Sequence, residues 1–463
     1  MPTPQLDPRD PESRIARLLD DGKFEFLLPR TDCGMVAVTG DIKGNKVVVF
    51  ASDATIKSGA LGVEGSKVIV SAYQAAMGAQ VPIIGIWHSG GARLSDGVAS
   101  LDAFGEVFQS MISASGRIPQ LSLVLGPTAG GGAYGPALTD IVVLSPEGRI
   151  FVTGPEVVKS VTGEDIDMAL LGGPEAHRKN SGLAHIIAPT EQEAIDDVRD
   201  LTALFANHGV MNPDVADIDL SVFVPQSQVR TYEVHPLVDA ILDKETEHIE
   251  LLSMWAPNMT TIIGRLGGAT VGVLANNPAH IAGILDAAAG EKAARFVRTC
   301  DAFGIPLIVI ADVQGFLPGA GQEWEGAVRR GAKLLHAFGE AVVPRVTLIT
   351  RRAYGGAYVA MNSKALGATR VLAWPEAEVS VMGAVAAVRV LHRRILADLP
   401  AEQRESMELE LAAEHEKISG GVARAVEIGA VDEIIDPAHT RSALAKIIAS
   451  TPHRRGAHGK IPL

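Results

Sequence analysis

Two glycine-rich turns are the residues of this sequence best suited to chemistry. GGGA at residues 130–133 follows the apolar run PQLSLVLG and a PTA tripeptide, and GGA at residues 355–357 follows PRVTLIT and RRAY. A chain that passes from a strand through glycines into a helix leaves backbone N–H groups without acceptors, and no side chain blocks the approach to them. Such amides can hold an oxyanion, and one donor of this kind contributes roughly 2.7–4 kcal/mol to a transition state. Two turns therefore predict a reaction between two carbonyl compounds.

Other side chains near strand ends leave alternatives open. His88 could act as a general base and Arg93 could meet a phosphate or carboxylate. A hydrogen-bonded structural histidine and a capping or ion-paired arginine are the competing interpretations, and Asp312 is expected to cap or brace its loop. The glycine turns could likewise serve only helix–strand packing. The sequence has no GxxxxGK[ST], HExxH or GxSxG motif and no Cys-His cluster with metal spacing, so it predicts no ATPase, metal site or serine nucleophile.

The two turns occupy equivalent positions in two similar halves of the chain. Gly131 and Gly356 are 225 residues apart, and Pro82 and Pro306, which precede earlier apolar runs, are 224 apart. A near-constant offset predicts a duplicated domain. In each half, short apolar runs alternate with amphipathic stretches, which indicates an α/β fold with helices covering a sheet. A proline-containing charged segment around residues 209–235 separates the halves, and we expect domains over 1–225 and 226–463.

Composition excludes several classes of protein. Among 463 residues, 41 Lys and Arg stand against 54 Asp and Glu, and a net charge of −13 argues against non-specific binding of nucleic acid. Cys33 and Cys300 cannot form a disulfide framework or a four-cysteine zinc site, and they are typical of reduced thiols in a cytoplasmic protein. We expect no signal peptide and no membrane span, because every apolar run is far shorter than the roughly 18 residues required.

Longer segments of the sequence resemble the carboxyltransferase β subunits of biotin-dependent acyl-CoA carboxylases, of the actinobacterial acetyl-/propionyl-CoA type. The resemblance covers nearly the whole chain. The matching segments are GALGVEGSKV, HSGGARLSDG, GPTAGGGAYGPALTD, FVTGPEVVKSVTGEDI, LGGPEAHRKNSGLAH, EKAARFVRTCDAFGIPLIVIADVQGFLPG, RRGAKLLHAFGEAVVPRVTLITRRAYGGAYVAMNSK and AWPEAEVSVMGAVAAV.

This resemblance implies two duplicated crotonase-like (ClpP/crotonase) domains. It further implies a homo-oligomer, a hexamer built as a dimer of trimers, with acyl-CoA on the N-terminal domain and carboxybiotin on the C-terminal domain. The biotin is expected on a partner α subunit that carries the biotin carboxylase and biotin carboxyl carrier functions. It is not expected on this chain, which has no AMKM-like segment.

The resemblance also assigns roles to individual residues. Its catalytic amides map to Gly130 and Gly131, which hold the thioester enolate oxygen, and to Gly356 and Ala357, which hold the ureido oxygen of biotin. A Cβ branch at Gly131 is expected to occupy the enolate site. The remaining expected contacts are Ser89, Gly90, Gly91, Ala92, Gly132 and Val359 for the substrate and Gly355 and Tyr358 for biotin.

The implied reaction needs no side-chain acid or base in the turns. The biotin enolate left after CO2 release takes the α-proton, and the substrate enolate captures CO2 to give malonyl-CoA or methylmalonyl-CoA, which would feed fatty-acid biosynthesis. Val359 stands where propionyl-preferring relatives often carry aspartate, which favours acetyl-CoA with tolerance of propionyl-CoA. The alternative is the carboxyltransferase subunit of a biotin-dependent acyl-CoA decarboxylase, which runs the same half-reaction in reverse. An enoyl-CoA hydratase or isomerase fits less well, because no glutamate follows the GGG turn.

Overall fold

A computed structural model describes residues 7–227, 230–246, 248–419 and 421–461. These residues group into two compact units. The first consists of the chain up to His208 with Ile249–Trp255 and the segment that begins at Gly456. The second consists of Gly209–His248 and Ala256–Arg455. The domain boundary predicted at 225/226 lies inside the Gly209–His248 segment and stays a prediction.

The first unit contains an eight-stranded sheet in the order β1-β2-β3-β4-β5-β6-β8, with β7 paired to β5. β1, β2 and β3 are antiparallel, and the later pairs are parallel. The strands are β1 (Phe24–Phe26), β2 (Met35–Ile42), β3 (Asn45–Ser52), β4 (Ile83–Ser89), β5 (Gln120–Ala129), β6 (Ile141–Leu144), β7 (Arg149–Phe151), β8 (Ile186–Ile187) and, outside this sheet, β9 (Ile249–Glu250). The helices are α1 (Pro11–Leu18), α2 (Val63–Ala79), α3 (Val98–Ala114), α4 (Tyr134–Leu138), α5 (Pro155–Thr162), α6 (Met168–Gly172), α7 (Pro174–Ala176) and α8 (Glu191–Ala206).

The second unit orders its strands β16-β14-β13-β12-β11-β10, with β15 paired to β13. β10 and β11 are antiparallel, and the other pairs are parallel. The strands are β10 (Met259–Leu266), β11 (Ala269–Asn276), β12 (Leu307–Val313), β13 (Arg345–Tyr354), β14 (Arg370–Ala373), β15 (Glu378–Ser380) and β16 (Glu433–Ile434). The helices are α9 (His235–Ile241), α10 (Ala287–Phe303), α11 (Ala320–Trp324), α12 (Ala327–Glu340), α13 (Gly355–Ala360), α14 (Ala384–Leu391), α15 (Arg393–Ala397), α16 (Ala401–Ser419), α17 (Gly421–Glu427) and α18 (Thr440–Ser450).

The two units repeat one topology. β2 to β8 correspond in order and direction to β10 to β16, and β7 and β15 each pair with the end of the long central strand. That strand, β5 or β13, has ten residues and is buried over most of its length. Burial on both faces is what parallel strands joined by helical crossovers require. The predicted α/β fold of duplicated crotonase-like domains is confirmed.

Local sequence explains where the long crossover helices begin and end. α10 begins after Asp286, whose side chain accepts a hydrogen bond from the Ala289 N–H, and ends at Gly304 in a left-handed conformation. An Asx N-cap and a glycine C-cap satisfy backbone groups that the helix ends leave free. Between them, α10 presents a mostly buried, alanine-rich stretch that lets the helix pack closely on the sheet.

The structure also shows whether the described residues could form a disulfide, a metal site or a membrane span. Cys33 and Cys300 are both buried and are not joined in a disulfide. No group of three or more His, Cys, Asp or Glu side chains is placed to hold a metal ion within the described ranges. Across the same ranges, no helix combines the length and apolar character that crossing a bilayer demands.

Candidate active site

The first glycine turn connects β5 to α4. β5 ends at Ala129, a short 3₁₀ helix covers Gly130–Ala133, and α4 begins at Tyr134. Gly130 has a φ of +60°. Other residues adopt this left-handed conformation at a cost of roughly 1–2 kcal/mol, which favours glycine here. The amides that follow open a helix and so lack intrahelical acceptors. The turn lies at the edge of the core, since Gly131 is half-buried.

The second glycine turn connects β13 directly to α13. Gly355 has a φ of +59°, and a Cβ atom there would approach the carbonyl oxygen of Val381 to 3.0 Å. A Cβ atom at Gly356 would meet no atom within 4 Å, and Gly356 is exposed. Ala357 is fully buried. At the start of α13, the space beside Gly356 is therefore accessible from solvent, whereas Ala357 is covered by other protein atoms.

Each turn begins with a glycine in the left-handed conformation, and this glycine shows which residues of the two turns are equivalent. Gly130 matches Gly355, so the amides in register with Gly356 and Ala357 are those of Gly131 and Gly132. The sequence-based pair Gly130 and Gly131 is displaced from this register by one residue. Both pairs include the Gly131 N–H, which makes it the strongest candidate donor of the first turn.

The loop after β4 packs against the first turn. A Cβ atom at Gly91 would lie 3.1 Å from the carbonyl oxygen of Ala129. Ser89 Oγ accepts a hydrogen bond from the Gly91 N–H at 3.2 Å, and it would lie 3.2 Å from a Cβ atom at Gly132. The structure thus brings the predicted substrate residues Ser89 and Gly91 together with the first glycine turn.

The other two predicted residues of this loop are tied to the segment before α2. The Gly90 N–H donates to the carbonyl of Ser58 at 3.0 Å, and Ala92 forms an isolated parallel bridge with Leu61. The backbone groups of Gly90 and Ala92 therefore hold the loop after β4 in place. An equivalent bridge joins Leu285 and Phe316 in the second unit.

A second repeated feature was missed by sequence reasoning. Residues 57–59 have φ values of +49°, +54° and +71°, and residues 281–283 have +40°, +54° and +72°. A Cβ atom at Gly59 would come within 1.9 Å of the His88 carbonyl oxygen, so only glycine fits there. Gly59 and Gly283 are 224 residues apart, which is the one signal in the sequence that could have revealed the repeat.

Two side chains of α13 were predicted to contact biotin or the acyl group. The Tyr358 hydroxyl donates to the carbonyl of Ala430 at 3.2 Å, and burial raises the pKa of this phenol. Val359 is 39% exposed. The Tyr358 hydroxyl is therefore held by the protein, whereas Val359 presents an apolar surface beside the second turn.

His88 lies in a structural environment. Its ring packs on Gly126, where a Cβ atom would approach Nδ1 to 2.4 Å, and Nδ1 lies 3.4 Å from Arg14 Nη1. Burial lowers the pKa of His88 to about 4, and the Arg14 charge adds to the effect. A neutral imidazole that faces a guanidinium is a poor general base. The geometry favours the structural interpretation of His88.

Arg93 and Asp312 brace their loops. Arg93 Nη2 donates to the carbonyl oxygens of Cys33 and Ala60, at 2.6 and 3.3 Å. Asp312 is 1% exposed and accepts hydrogen bonds from Arg351 Nε at 2.8 Å and Arg352 Nε at 3.1 Å. These contacts favour the structural alternatives for both residues over direct contact with a ligand.

The expectation that a Cβ branch at Gly131 fills the enolate site stays a prediction, and the structure shows what such a branch would meet. A Cβ atom at Gly131 would lie 3.4 Å from the ring of Phe104, an ordinary packing distance. Phe104 is buried in α3, so this methyl group would point towards the core. Gly356 is the position where a new side chain would enter open space.

Comparisons with known proteins agree with this arrangement. The carboxyl transferase domain family matches residues 11–458. The chain is 57% identical over 461 residues to the biotin-dependent acetyl-/propionyl-coenzyme A carboxylase beta6 subunit of Mycobacterium tuberculosis, covering 99% of this chain and 98% of that protein. It is 51% identical over 463 residues to the propionyl-CoA carboxylase beta chain of Rhodococcus erythropolis, covering 99% and 97%.

Solved structures give the same answer. Transcarboxylase 12S, described as a hexamer with methylmalonyl-coenzyme A and methylmalonic acid bound, matches with a TM-score of 0.90 and 35% identity. The match covers 98% of this chain and 92% of that one. The sequence-based resemblance is thus confirmed: the chain belongs to the carboxyl transferase domain family and is an enzyme of the biotin-dependent carboxyltransferase class.

Proposed function

We propose that this carboxyltransferase moves a carboxyl group from carboxybiotin on a partner subunit to the α-carbon of a short acyl-CoA. Acetyl-CoA would give malonyl-CoA, and propionyl-CoA would give methylmalonyl-CoA. The observation that carries the proposal is the pair of equivalent turns in which left-handed Gly130 and Gly355 each lead into a helix. The names of the acetyl-/propionyl-CoA and propionyl-CoA carboxylase relatives support the substrate class.

The first turn holds the acyl-CoA thioester. The amides of Gly130 and Gly131 donate to the enolate oxygen that forms when the α-proton leaves. The Gly132 amide is a further candidate donor, because Gly132 is the equivalent of Ala357 in the second turn. Ser89–Ala92 packs on this turn and forms the neighbouring wall for the substrate. Backbone donors fixed by the fold need no rearrangement as negative charge develops, which is the main source of their catalytic effect.

The second turn holds the biotin. The space beside Gly356 is empty, since a Cβ atom there would meet no atom within 4 Å. This space can admit the bulky ureido ring of biotin because Gly356 has no side chain to fill it. The amides of Gly356 and Ala357 donate to the ureido oxygen, Gly355 sets the turn, and Tyr358 contributes its ring. Carboxybiotin supplies the CO2 that the acyl group receives.

Partners follow from the same assignment. The biotin is carried by an α subunit with biotin carboxylase activity, and the chain acts as a homo-oligomer, a hexamer like that described for transcarboxylase 12S. A role in fatty-acid biosynthesis and a cytoplasmic location are part of the proposal. Val359 stands where propionyl-preferring relatives often carry aspartate, and on that resemblance we expect a modest preference for acetyl-CoA.

The test uses the purified chain with and without its cognate α subunit. We expect incorporation of labelled bicarbonate into acetyl-CoA and propionyl-CoA only when the α subunit, ATP and the chain are all present. We also expect the chain alone to decarboxylate malonyl-CoA when free biotin is supplied as acceptor. Comparison of kcat/KM for acetyl-, propionyl- and butyryl-CoA then fixes the substrate order. Failure of both the complete and the partial reaction would contradict the proposal.

A further inference from the structure

A cavity of about 590 Å³ lies in the first unit. Residues near the ends of β4 and β5 line it, together with residues of α1 and of the first turns of α6 and α8. Its lining residues come from the described part of the chain and include none of the residues assigned to the two glycine turns. Ligand sites of small organic molecules typically occupy about 300–1,000 Å³. The cavity is therefore large enough for a second ligand that the carboxyl transfer reaction does not use.

Arg14 is the cation that gives this cavity its character. Its side chain on α1 is buried, with a relative exposure of 3%. Nη1 lies 3.4 Å from Nδ1 of His88, and Nε has no hydrogen-bond partner among the described residues. A buried guanidinium with an unused N–H costs free energy unless an acceptor is supplied. Arg14 lines the cavity, so an anion bound there would lie against its guanidinium group.

The other cations around the cavity already have partners. Arg9 donates to the carboxylate of Asp7 at 2.8 Å. Arg149 donates to the carbonyl oxygens of residues 146 and 148, at 2.6 and 2.7 Å. Arg14 is thus the cavity-lining arginine whose side chain has no carboxylate or carbonyl oxygen within hydrogen-bond distance among the described residues, and the carboxylates of Glu191 and Asp7 act on its charge only from farther away.

Three carboxylates on the walls limit how much negative charge a ligand can carry. Glu191 pairs with Arg17 at 2.5 Å, and Asp167 caps α6 by accepting from the Leu170 N–H at 2.7 Å. Glu147 lies 3.8 Å from Arg149, and its side chain is 84% exposed. All three carboxylates repel an anion in the cavity, and the repulsion is about twice as large for a dianion such as phosphate as for a monoanion.

The rest of the wall is apolar. Leu125 and Pro127 come from β5, and Met168 and Ala169 come from the start of α6. These groups favour a ligand with an aliphatic body. His88 is neutral near pH 7, because burial and Arg14 lower its pKa to about 4, so it adds no second positive charge.

We propose that this cavity binds a short-chain monocarboxylate, with the carboxylate on the Arg14 guanidinium and the alkyl chain against the apolar wall. Charge-assisted bonds between arginine and carboxylate are among the stronger hydrogen bonds in proteins. The site is separate from the turns that carry the transfer reaction, so its occupancy does not depend on the proposed function.

Isothermal titration of the full-length protein with butyrate tests the proposal. We expect one butyrate per chain, at least tenfold weaker binding of inorganic phosphate, and no detectable binding of butylamine. Saturating acetyl-CoA should leave butyrate binding unchanged. Arg14→Met, which retains an apolar stem, should weaken butyrate binding at least tenfold.

A matched pair of variants covers the case in which Arg14→Met fails to fold. Ala169 lies on the wall and is exposed, so Ala169→Glu and Ala169→Gln both keep the fold. Ala169→Glu should weaken butyrate binding at least tenfold relative to Ala169→Gln, because it adds a fourth carboxylate. Absence of butyrate binding, phosphate binding of equal strength, or equal affinity in the two Ala169 variants would overturn the proposal.

Discussion

Gly130 and Gly355 adopt the same left-handed conformation, with φ of +60° and +59°, at the ends of corresponding strands 225 residues apart. Each residue turns the chain from a buried central strand into a helix. A feature that side chains disfavour has therefore been kept twice, once in each unit. The pair aligns the amides of Gly131 and Gly132 with those of Gly356 and Ala357, which is the basis of the proposed two-site mechanism.

Gly356→Val should abolish transfer while leaving the fold intact. The new side chain would enter space that is empty within 4 Å of its Cβ atom and would block the amides of the second turn. Loss of one such donor lowers kcat by about 10²–10³-fold. Gly339→Val is the control, because Gly339 is exposed on α12 and a Cβ atom there makes only a 3.9 Å contact with Leu366. Steady-state kinetics of both variants check the prediction, and similar losses in the two would contradict it.

Gly130→Ala should destabilise the protein by roughly 1–2 kcal/mol, because alanine must adopt a left-handed conformation. Gly130→Asn should cost less, since asparagine visits that region more readily. Gly355→Ala should cost more than Gly130→Ala, because its Cβ atom also approaches the Val381 carbonyl to 3.0 Å. Thermal unfolding of the three variants would show this order, and equal melting temperatures would argue against it.

His88 should make stability depend on pH below neutrality. Burial, with Arg14 and Arg9, lowers its pKa to about 4, and Glu191 opposes this shift. An unfolded histidine titrates near pH 6.5, so between about pH 6.5 and 4 the unfolded chain binds more protons. The stabilisation is complete above pH 6.5 and is lost progressively as the pH falls towards 4.

The measurement compares melting temperatures of the wild type and His88→Gln from pH 7 to 4.5. The wild type should lose more stability than the variant across this range. Parallel curves would show that His88 is not a buried neutral group in the folded protein.

Asp312→Asn should be strongly destabilising. Its carboxylate is 1% exposed and accepts from both Arg351 and Arg352, so the amide would leave two buried guanidinium groups without their shared anion. Removing one partner of a buried ion pair typically costs about 3–5 kcal/mol. Glu64→Gln breaks the exposed pair with Lys67 and should change stability by less than about 1 kcal/mol. Chemical denaturation that gives similar values for both variants would contradict this role.

The duplication and the α/β class could be predicted because they depend on spacing and on apolar patterns. The left-handed segments 57–59 and 281–283 could not be predicted, since Lys57, Ser58, Ile281 and Ala282 have no preference for positive φ. Each segment is followed by a bridge to a distant part of the chain, which the sequence does not reveal either. Such tertiary constraints leave almost no trace in a single sequence.

At the candidate site too, the sequence predicts some features of individual residues and not others. The sequence indicates that Gly131 belongs to a turn, but the direction of its Cβ atom depends on Phe104, which lies on a separate helix. The state of His88 likewise depends on Arg14, 74 residues earlier in the chain. Contacts between distant segments decide both, so local sequence cannot supply them.

The most direct test of the account is a crystal structure of the protein with acetyl-CoA and biotin bound. The thioester oxygen should lie within about 3.2 Å of the Gly131 N–H, and the ureido oxygen should lie at a similar distance from the Gly356 and Ala357 amides. A complex in which either turn is covered by other protein atoms, with neither ligand within reach of its amides, would contradict the central claim.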